Sequence, residues 1–440
     1  MKKRKITPLA IIVMSFLGII VLGVFLLKLP ISTQTAEALS WADSIFISTS
    51  AVCVTGLSTI PDISATLSIF GKVVLALLIQ IGGIGIVTIA IYVLIVLGIK
   101  IGVTERYIIK EALNQHSLSG VVRLVRSIII TTLIIEMFGT IINFIVFIQE
   151  FEFWKALGVS AFHSISSFNN AGFDILGSTS IQAYSSNVLL NINTMVLIIV
   201  GGIGFIVIRD ILAKRKWSEL SLYSKIVLKT TLFLIVSGTL LIKFMEWSNV
   251  TWLEAIFQSI TTRTAGFSTV DMNMFSYSTL IVIIIFMFIG ASPNSTGGGV
   301  KTTTFFILFK SIKSFLSGKP TIVNNRKIGI DSRIKAFTLV ILALVSTITV
   351  FIILAGIEAR NPNYDMPFIK MLFETFSAFG TVGLSMGITP FLMPASKVLL
   401  STLMFLGRLG PITIFGIMNK NWGHPPVSNI EYATERIIIG

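Results

Sequence analysis

The chain has 440 residues, 54% of them hydrophobic and only 12% charged, which excludes a soluble globular protein and reads as a polytopic membrane protein. Its formal charge of +14 does not mark a nucleic-acid surface. Lys and Arg collect at the N-terminus and in every second connection while the other connections are acidic, the positive-inside distribution.

Met1-Lys-Lys-Arg-Lys5 precedes the apolar run 8–29. This start resembles a secretory signal, and Ala36-Glu-Ala38 mimics a cleavage site. The run is about twice the length of a signal core, so it reads as a retained first span with a cytoplasmic N-terminus. A short, nearly uncharged segment at 41–57 and a second span at 69–97 follow. The connection 100–126 carries Lys100, Arg106, Lys110, Arg123 and Arg126 and is expected on the cytoplasmic side. Then come a span at 127–148, an acidic link with Glu150 and Glu152, a short segment at 154–173 and a span at 188–208. Arg209, Lys214, Arg215, Lys216, Lys225 and Lys229 fill the next inner connection. The third unit has a span at 226–245, a short segment at 252–262, and an apolar run at 280–290 broken by Ala291-Ser-Pro-Asn-Ser-Thr-Gly-Gly-Gly-Val-Lys301. The fourth has spans at 336–357 and 398–418 around a short segment ending at Leu384.

The short segments are the informative ones. About 20 apolar residues are needed to span a bilayer. Each of these is shorter, yet too apolar for an ordinary loop, and each ends in a polar turn with one glycine. The turns are Ser50-Ala-Val-Cys-Val-Thr-Gly-Leu57, Ser166-Ser-Phe-Asn-Asn-Ala-Gly-Phe173, Ile260-Thr-Thr-Arg-Thr-Ala-Gly-Phe267 and Ser377-Ala-Phe-Gly-Thr-Val-Gly-Leu384. Four copies in one order imply internal duplication and re-entrant helices that return through the turn. The expected fold is an all-α polytopic membrane protein. It has four parallel helix–pore loop–helix repeats around one pore, eight transmembrane helices and cytoplasmic termini. The repeats fall at 1–99, 118–213, 222–317 and 331–419, with a tail at 420–440.

Four such turns can replace the hydration shell of a cation with backbone carbonyls. Glycine reaches the angles that aim successive carbonyls inward. The short helices present their C-terminal ends, which carry about half a negative charge, to the pore. No turn holds a carboxylate, which favours a large monovalent ion over Ca²⁺ or Mg²⁺. The glycine clusters of the second spans, such as Gly82-Gly-Ile-Gly85, read as helix packing instead.

These turns, with Gly290-Ala-Ser-Pro-Asn-Ser-Thr-Gly-Gly-Gly-Val-Lys301 and Gly407-Arg-Leu-Gly-Pro411, resemble the Trk/Ktr/HKT superfamily of potassium transporters, and most closely its bacterial Ktr membrane subunit. The resemblance covers nearly the whole chain. It implies a selectivity filter of backbone carbonyls at Val54, Thr55, Gly56, Asn170, Ala171, Gly172, Thr264, Ala265, Gly266, Thr381, Val382 and Gly383. Glycine at all four filter positions goes, in that family, with potassium selectivity. The resemblance also implies an intramembrane gate at Ser292, Pro293, Asn294, Ser295, Thr296, Gly297, Gly298 and Gly299, with Arg408 beside it. It further implies a homodimer in a bacterial cell membrane and a docked cytosolic ring of nucleotide-binding subunits. The turns lack the full signature of tetrameric channels, so neither tight selectivity nor high throughput follows from them.

The expected function is potassium uptake, with K⁺ as the transported ion, Na⁺ as a candidate activating or coupled ion, and no cofactor in this chain. A less selective sodium/potassium pathway is the alternative within transport. A membrane-embedded enzyme is the alternative from another class, but no His-Glu-x-x-His, paired intramembrane aspartates or Gly-x-Ser-x-Gly is present. The single cysteine, Cys53, excludes a disulfide framework and a Cys-rich metal site. Of the charges at membrane depth, Arg408 reads as a pore residue, Arg263 and Glu136 as structural ones, and Lys301 as the cytoplasmic end of the broken segment. The histidines His116, His163 and His424 have no metal-ligand spacing. The basic inner connections are topology signals that can also meet anionic lipid.

Overall fold

The computed structural model describes residues 7–35, 37–113, 117–362 and 366–411. The expected tail at 420–440 and the end of the last span lie outside the described residues. Nearly all described elements are helices, as an apolar solvent requires of a backbone that must satisfy itself.

In chain order they are α1 (Pro8–Lys28), α2 (Trp41–Val52), α3 (Ile63–Thr66), α4 (Ile69–Ile84), α5 (Ile86–Val96), α6 (Val103–Ala112), α7 (Val121–Phe147), α8 (Phe153–Phe168), α9 (Val188–Ile203) and α10 (Phe205–Lys214). They continue with α11 (Leu222–Met245), α12 (Trp252–Thr261), α13 (Tyr277–Phe288), α14 (Thr302–Leu316), α15 (Ile330–Glu358), α16 (Phe368–Gly380) and α17 (Pro394–Leu409). One departure from all-α is the two-residue hairpin of β1 (Ile322–Val323) and β2 (Arg326–Lys327). Its turn, Asn324-Asn325, has positive φ at both residues, the geometry that asparagine tolerates.

Helices α1, α7, α11 and α15 are each long and apolar enough to cross a membrane. The charged starts of α7 and α15 lie outside the apolar runs that predict these spans. Helices α2, α8, α12 and α16 are the short segments. Each begins on the residue before it in extended conformation, and Thr251 and Glu254 form a reciprocal capping box at the start of α12.

The spans expected to be continuous at 69–97 and 188–208 are not. Helices α4 and α5 meet at 97°, and so do α9 and α10. The corner residues are Gly85 and Gly204, both with φ near +93°. That region is open to glycine and strained for other residues. Helix α17 likewise stops before Gly410, which has φ +84°.

The short helices are held against the long ones by a contact that the sequence alone does not display. A glycine on the long helix faces a serine on the short one: Gly23 and Ser48, Gly139 and Ser164, Gly238 and Ser259. A Cβ at any of these glycines would strike the serine hydroxyl. Each serine donates to a carbonyl one turn earlier on the long helix, Ile20 at 2.7 Å, Glu136 at 2.7 Å and Ile235 at 2.8 Å. Small residues and interhelical hydrogen bonds are what hold helices together in lipid, where no hydrophobic force does so.

The first and last parts of the chain are joined by an ion pair. Lys397 Nζ, in the first turn of α17, lies 2.8 Å from Asp43 Oδ1 in the first turn of α2, with side chains only 11% and 24% exposed. Removing one partner leaves a sheltered, uncompensated charge. Asp43→Asn is expected to lower stability by about 1–2 kcal/mol, less than for a fully buried pair because both groups keep some water. The measurement is the melting midpoint of the purified protein in detergent, and an unchanged midpoint would mean that the pair does not hold the two ends.

Candidate functional site

Each short helix runs into a turn with one backbone pattern. The amide of Thr55 donates to Ser50 O at 2.8 Å, Ala171 to Ser166 O at 2.8 Å, and Val382 to Ser377 O at 2.9 Å. Ala265 donates to Thr261 O at 3.0 Å, one residue tighter. In every turn the residue two before the glycine has positive φ: Val54 at 56°, Asn170 at 57°, Thr264 at 76° and Thr381 at 50°. The glycines have positive φ as well, 94°, 69°, 84° and 92° at Gly56, Gly172, Gly266 and Gly383. A non-glycine residue in this region is strained and is held there by its surroundings. In the first and fourth turns a serine hydroxyl supplies part of that hold. Ser50 Oγ accepts from Gly56 N and Ser377 Oγ from Gly383 N, both at 3.1 Å.

The four turns meet in a closed ring. A Cβ on Gly172 would lie 2.7 Å from Ala265 O, and one on Gly266 would lie 2.6 Å from Val382 O. One on Gly56 would strike Ala171 O, and one on Gly383 would strike Thr55 O. Each glycine therefore faces the carbonyl that precedes the glycine of the next turn, and the circuit 56, 172, 266, 383 closes on itself. All twelve turn residues expected at the filter belong to this ring or to the step directly before it.

On one side of the ring opens a cavity of about 400 Å³ lined by all four glycines, with Asp174 and Asp271 on its wall. On the other side lies the broken segment between α13 and α14. Its ends pair as a parallel bridge between Ile289 and Val300, so residues 291–299 make a closed excursion. Ser292 and Thr296 are fully buried, while Pro293, Asn294 and Ser295 are half-buried.

This excursion touches three of the four turns. The side chain of Asn170 lies between the hydroxyls of Thr264 and Thr296, at 3.3 and 3.2 Å. Gly298 N donates to Thr381 Oγ1 at 2.9 Å, and a Cβ on Gly297 would strike Thr264 Oγ1. From the sides, Ser292 N donates to Gly202 O at 3.0 Å and Gly299 N to Gly407 O at 3.2 Å. Two cations grip its carbonyls: Arg408 donates to Thr296 O, and Lys301 Nζ to Gly297 O at 2.6 Å. Arg408 also donates to Gly82 O and to Gly83 O, the latter at 3.3 Å. Beneath, a second cavity of about 230 Å³ is lined by Asn294, Ser295, Gly297, Lys301 and Arg408.

Lys301 thus does more than end the segment, which sequence reasoning missed. Nothing in its position signals a carbonyl four residues away unless the loop folds back. Two further positions were missed. Gln258 Nε2 reaches Ser268 Oγ at 3.1 Å, and the Glu374 carboxylate accepts from Ser385 Oγ and, at 3.0 Å, from Thr389 Oγ1. Both polar side chains sit on short helices and tether the segment after the glycine. Their signal was available: they occupy matching places on α12 and α16 once the tighter third turn is allowed for. His163, at the same place on α8, contacts Thr194 Oγ1 at 2.9 Å and packs against Phe267, a structural role. Of the second-span glycines, Gly82, Gly201 and Gly407 are packing residues as expected, since a Cβ there would strike the carbonyl of Val52, Phe168 or Phe379 at the end of a short helix, whereas Gly85 and Gly204 turn the chain instead.

Compared with known proteins, residues 7–421 match the family model described as TrkH, cation transport protein. The chain is 37% identical over 447 residues to the Ktr system potassium uptake protein B of Bacillus subtilis, covering 99% of this chain and 97% of that protein. It is 36% identical over 454 residues to the potassium/sodium uptake protein NtpJ of Enterococcus hirae, covering 100% and 99%. In fold it resembles the crystal structure of the potassium transporter TrkH from Vibrio parahaemolyticus, with a TM-score of 0.72 at 17% identity, over 96% of this chain and 87% of that one.

Proposed function

Because the chain belongs to the TrkH cation-transport family and is a multi-pass membrane protein, we propose that it takes up potassium across a bacterial cell membrane through one pore per subunit. The observation that carries this reading is the closed ring of four glycines, each facing a carbonyl of the next turn. Stacked carbonyls can substitute for the water around a dehydrated K⁺, and the absence of carboxylates from the ring suits a monovalent ion. In this reading Val54, Thr55, Gly56 and their counterparts form the filter, and the acidic cavity above it gathers cations.

The reading includes four parallel repeats and eight spans, with α4–α5, α9–α10 and α13–α14 as bent or broken second spans and both termini in the cytoplasm. Residues 292–299 form the gate, held by Arg408. The chain acts as a homodimer, and a cytosolic nucleotide-binding ring on the basic inner connections biases the gate. The name of the Bacillus relative, which places it in a system, supports a partner.

The test is rescue of growth at low potassium in a bacterial strain lacking its own uptake systems, with uptake measured with and without a nucleotide-binding subunit. Growth only at high potassium, despite protein in the membrane and a subunit supplied, would count against uptake. Identical, nucleotide-insensitive flux in the isolated chain would count against the ring. A less selective sodium/potassium pathway is favoured by one observation, the full-length similarity to a potassium/sodium uptake protein. Equal inhibition of rubidium uptake by Na⁺ and K⁺ would select that alternative.

A further inference from the structure

Glu136 is a carboxylate in the middle of the long apolar helix α7, only 5% exposed. No cation pairs with it among the described residues. Packing does not ask for a charge there, and placing one at membrane depth is expensive. Instead it accepts two amide donors, Gln80 Nε2 of α4 at 2.9 Å and Asn169 Nδ2 at 3.0 Å. Asn169 Nδ2 also donates to Gln80 Oε1 at 2.9 Å, so the three side chains close a triangle. Its corners stand on three separate elements: two spans and the C-terminal cap of α8.

Asn169 is the residue before Asn170, where the second turn enters positive φ. The other turns have Cys53, Arg263 and Gly380 at that place. The site is built for the asparagine, because a Cβ on Gly83 would strike its side-chain amide. The same end of α4 presents Gly82 O and Gly83 O to Arg408, which also holds Thr296 O. Thr296 in turn lies 3.2 Å from Asn170. The triangle is therefore one side of a polar circuit that runs from the second turn through α4 and Arg408 to the broken segment and back.

We infer that Glu136 is a positioning residue of the pore: it fixes Asn169 against α4, sets the carbonyls of the second turn, and so sets the preference among monovalent cations. The inference rests on the reading of the glycine ring as the filter.

The experiment measures potassium-over-sodium competition for rubidium uptake, with the full chain and its partner subunit in cells. Glu136→Ala removes both acceptors and is expected to lower the ratio about fivefold, the factor that the one bond reaching the turn, from Asn169, corresponds to. Glu136→Gln keeps an acceptor for Asn169 but turns a donor toward Gln80 Nε2, and is expected to restore part of the ratio. A role in folding alone would lower the amount of protein and the maximal rate and leave the ratio in place. Glu136→Ala present in the membrane with the parent's ratio overturns the inference. If that variant does not reach the membrane, Gln80→Met, which opens the same triangle, takes its place, and a parental ratio there is equally decisive. Gly172→Ser separates the two layers. A changed ratio in Gly172→Ser beside an unchanged one in Glu136→Ala removes the role of Glu136 alone, whereas an unchanged ratio in both removes the filter reading beneath it.

Discussion

Replacing Gly56 by serine is expected to remove most of the preference for potassium over sodium, at least about tenfold in the competition ratio, equivalent to about 1.4 kcal/mol, because the new side chain displaces the carbonyl next to it. Two effects combine. At φ +94° a side chain is strained by its own backbone. Its Cβ would also overlap Ala171 O, a backbone atom of the neighbouring turn that cannot rotate away as a side chain can. The ring gives the disturbance nowhere to dissipate, since moving Ala171 moves Gly172, which itself lies against Ala265 O. Gly82→Ser, the obvious comparison from the sequence, is a poor control. A Cβ there would strike Val52 O and push the end of α2 that carries the same turn. Gly18→Ser is the better one, because nothing lies within 4 Å of its Cβ position. If Gly56→Ser and Gly18→Ser give the same ratio as the parent, the ring does not select the ion.

Much of this architecture was legible in the sequence, and the limits have physical causes. The short helices could be read because a bilayer sets a minimum length that they fail to reach. The turns could be read because one glycine in a polar setting recurs four times. The bends at Gly85 and Gly204 could not. A glycine inside an apolar run looks the same whether it admits a neighbour or turns the chain, and here Gly82 does the first and Gly85 the second within one turn of helix. Hydropathy marks the part of a helix that meets lipid, not where the helix ends, so α7 and α15 begin among charged residues that the apolar runs leave out. The contacts that build the site lie furthest from local pattern. Thr296 meets Asn170 from 126 residues away, and Gln80 meets Asn169 from 89. No periodicity encodes such pairs. Glu136 shows the consequence: it reads as a structural charge on its own helix, and its neighbours acquire meaning only when α4 and α8 are brought beside it.

Deleting residues 292–298 is expected to raise basal potassium flux about tenfold or more and to make it insensitive to a docked subunit, if the segment, which packs against the ring on the side away from the acidic cavity, is the proposed gate. The deletion is the harsher change: Ile289 and Val300 pair in parallel, so joining Ala291 to Gly299 gives up that pairing and shifts α14 against α13. What disappears is the excursion that contacts Asn170, Thr264 and Thr381, and with it the carbonyls gripped by Arg408 and Lys301. Arg408→Gln is the gentler version. It keeps most of the side-chain stem, removes a positive charge from the proposed path of a cation, and takes the charge-assisted donors from Thr296 O, Gly82 O and Gly83 O. Each such bond is worth roughly 1.5–3 kcal/mol in holding one arrangement over another. The two variants should agree in direction, with the deletion larger, because Lys301 still holds Gly297 O when Arg408 is gone. Flux is measured as rubidium efflux from loaded vesicles at matched protein, with the partner subunit absent and then added. A deleted protein that is folded, present in the membrane and no leakier than the parent would show that the ring is closed by something other than this segment.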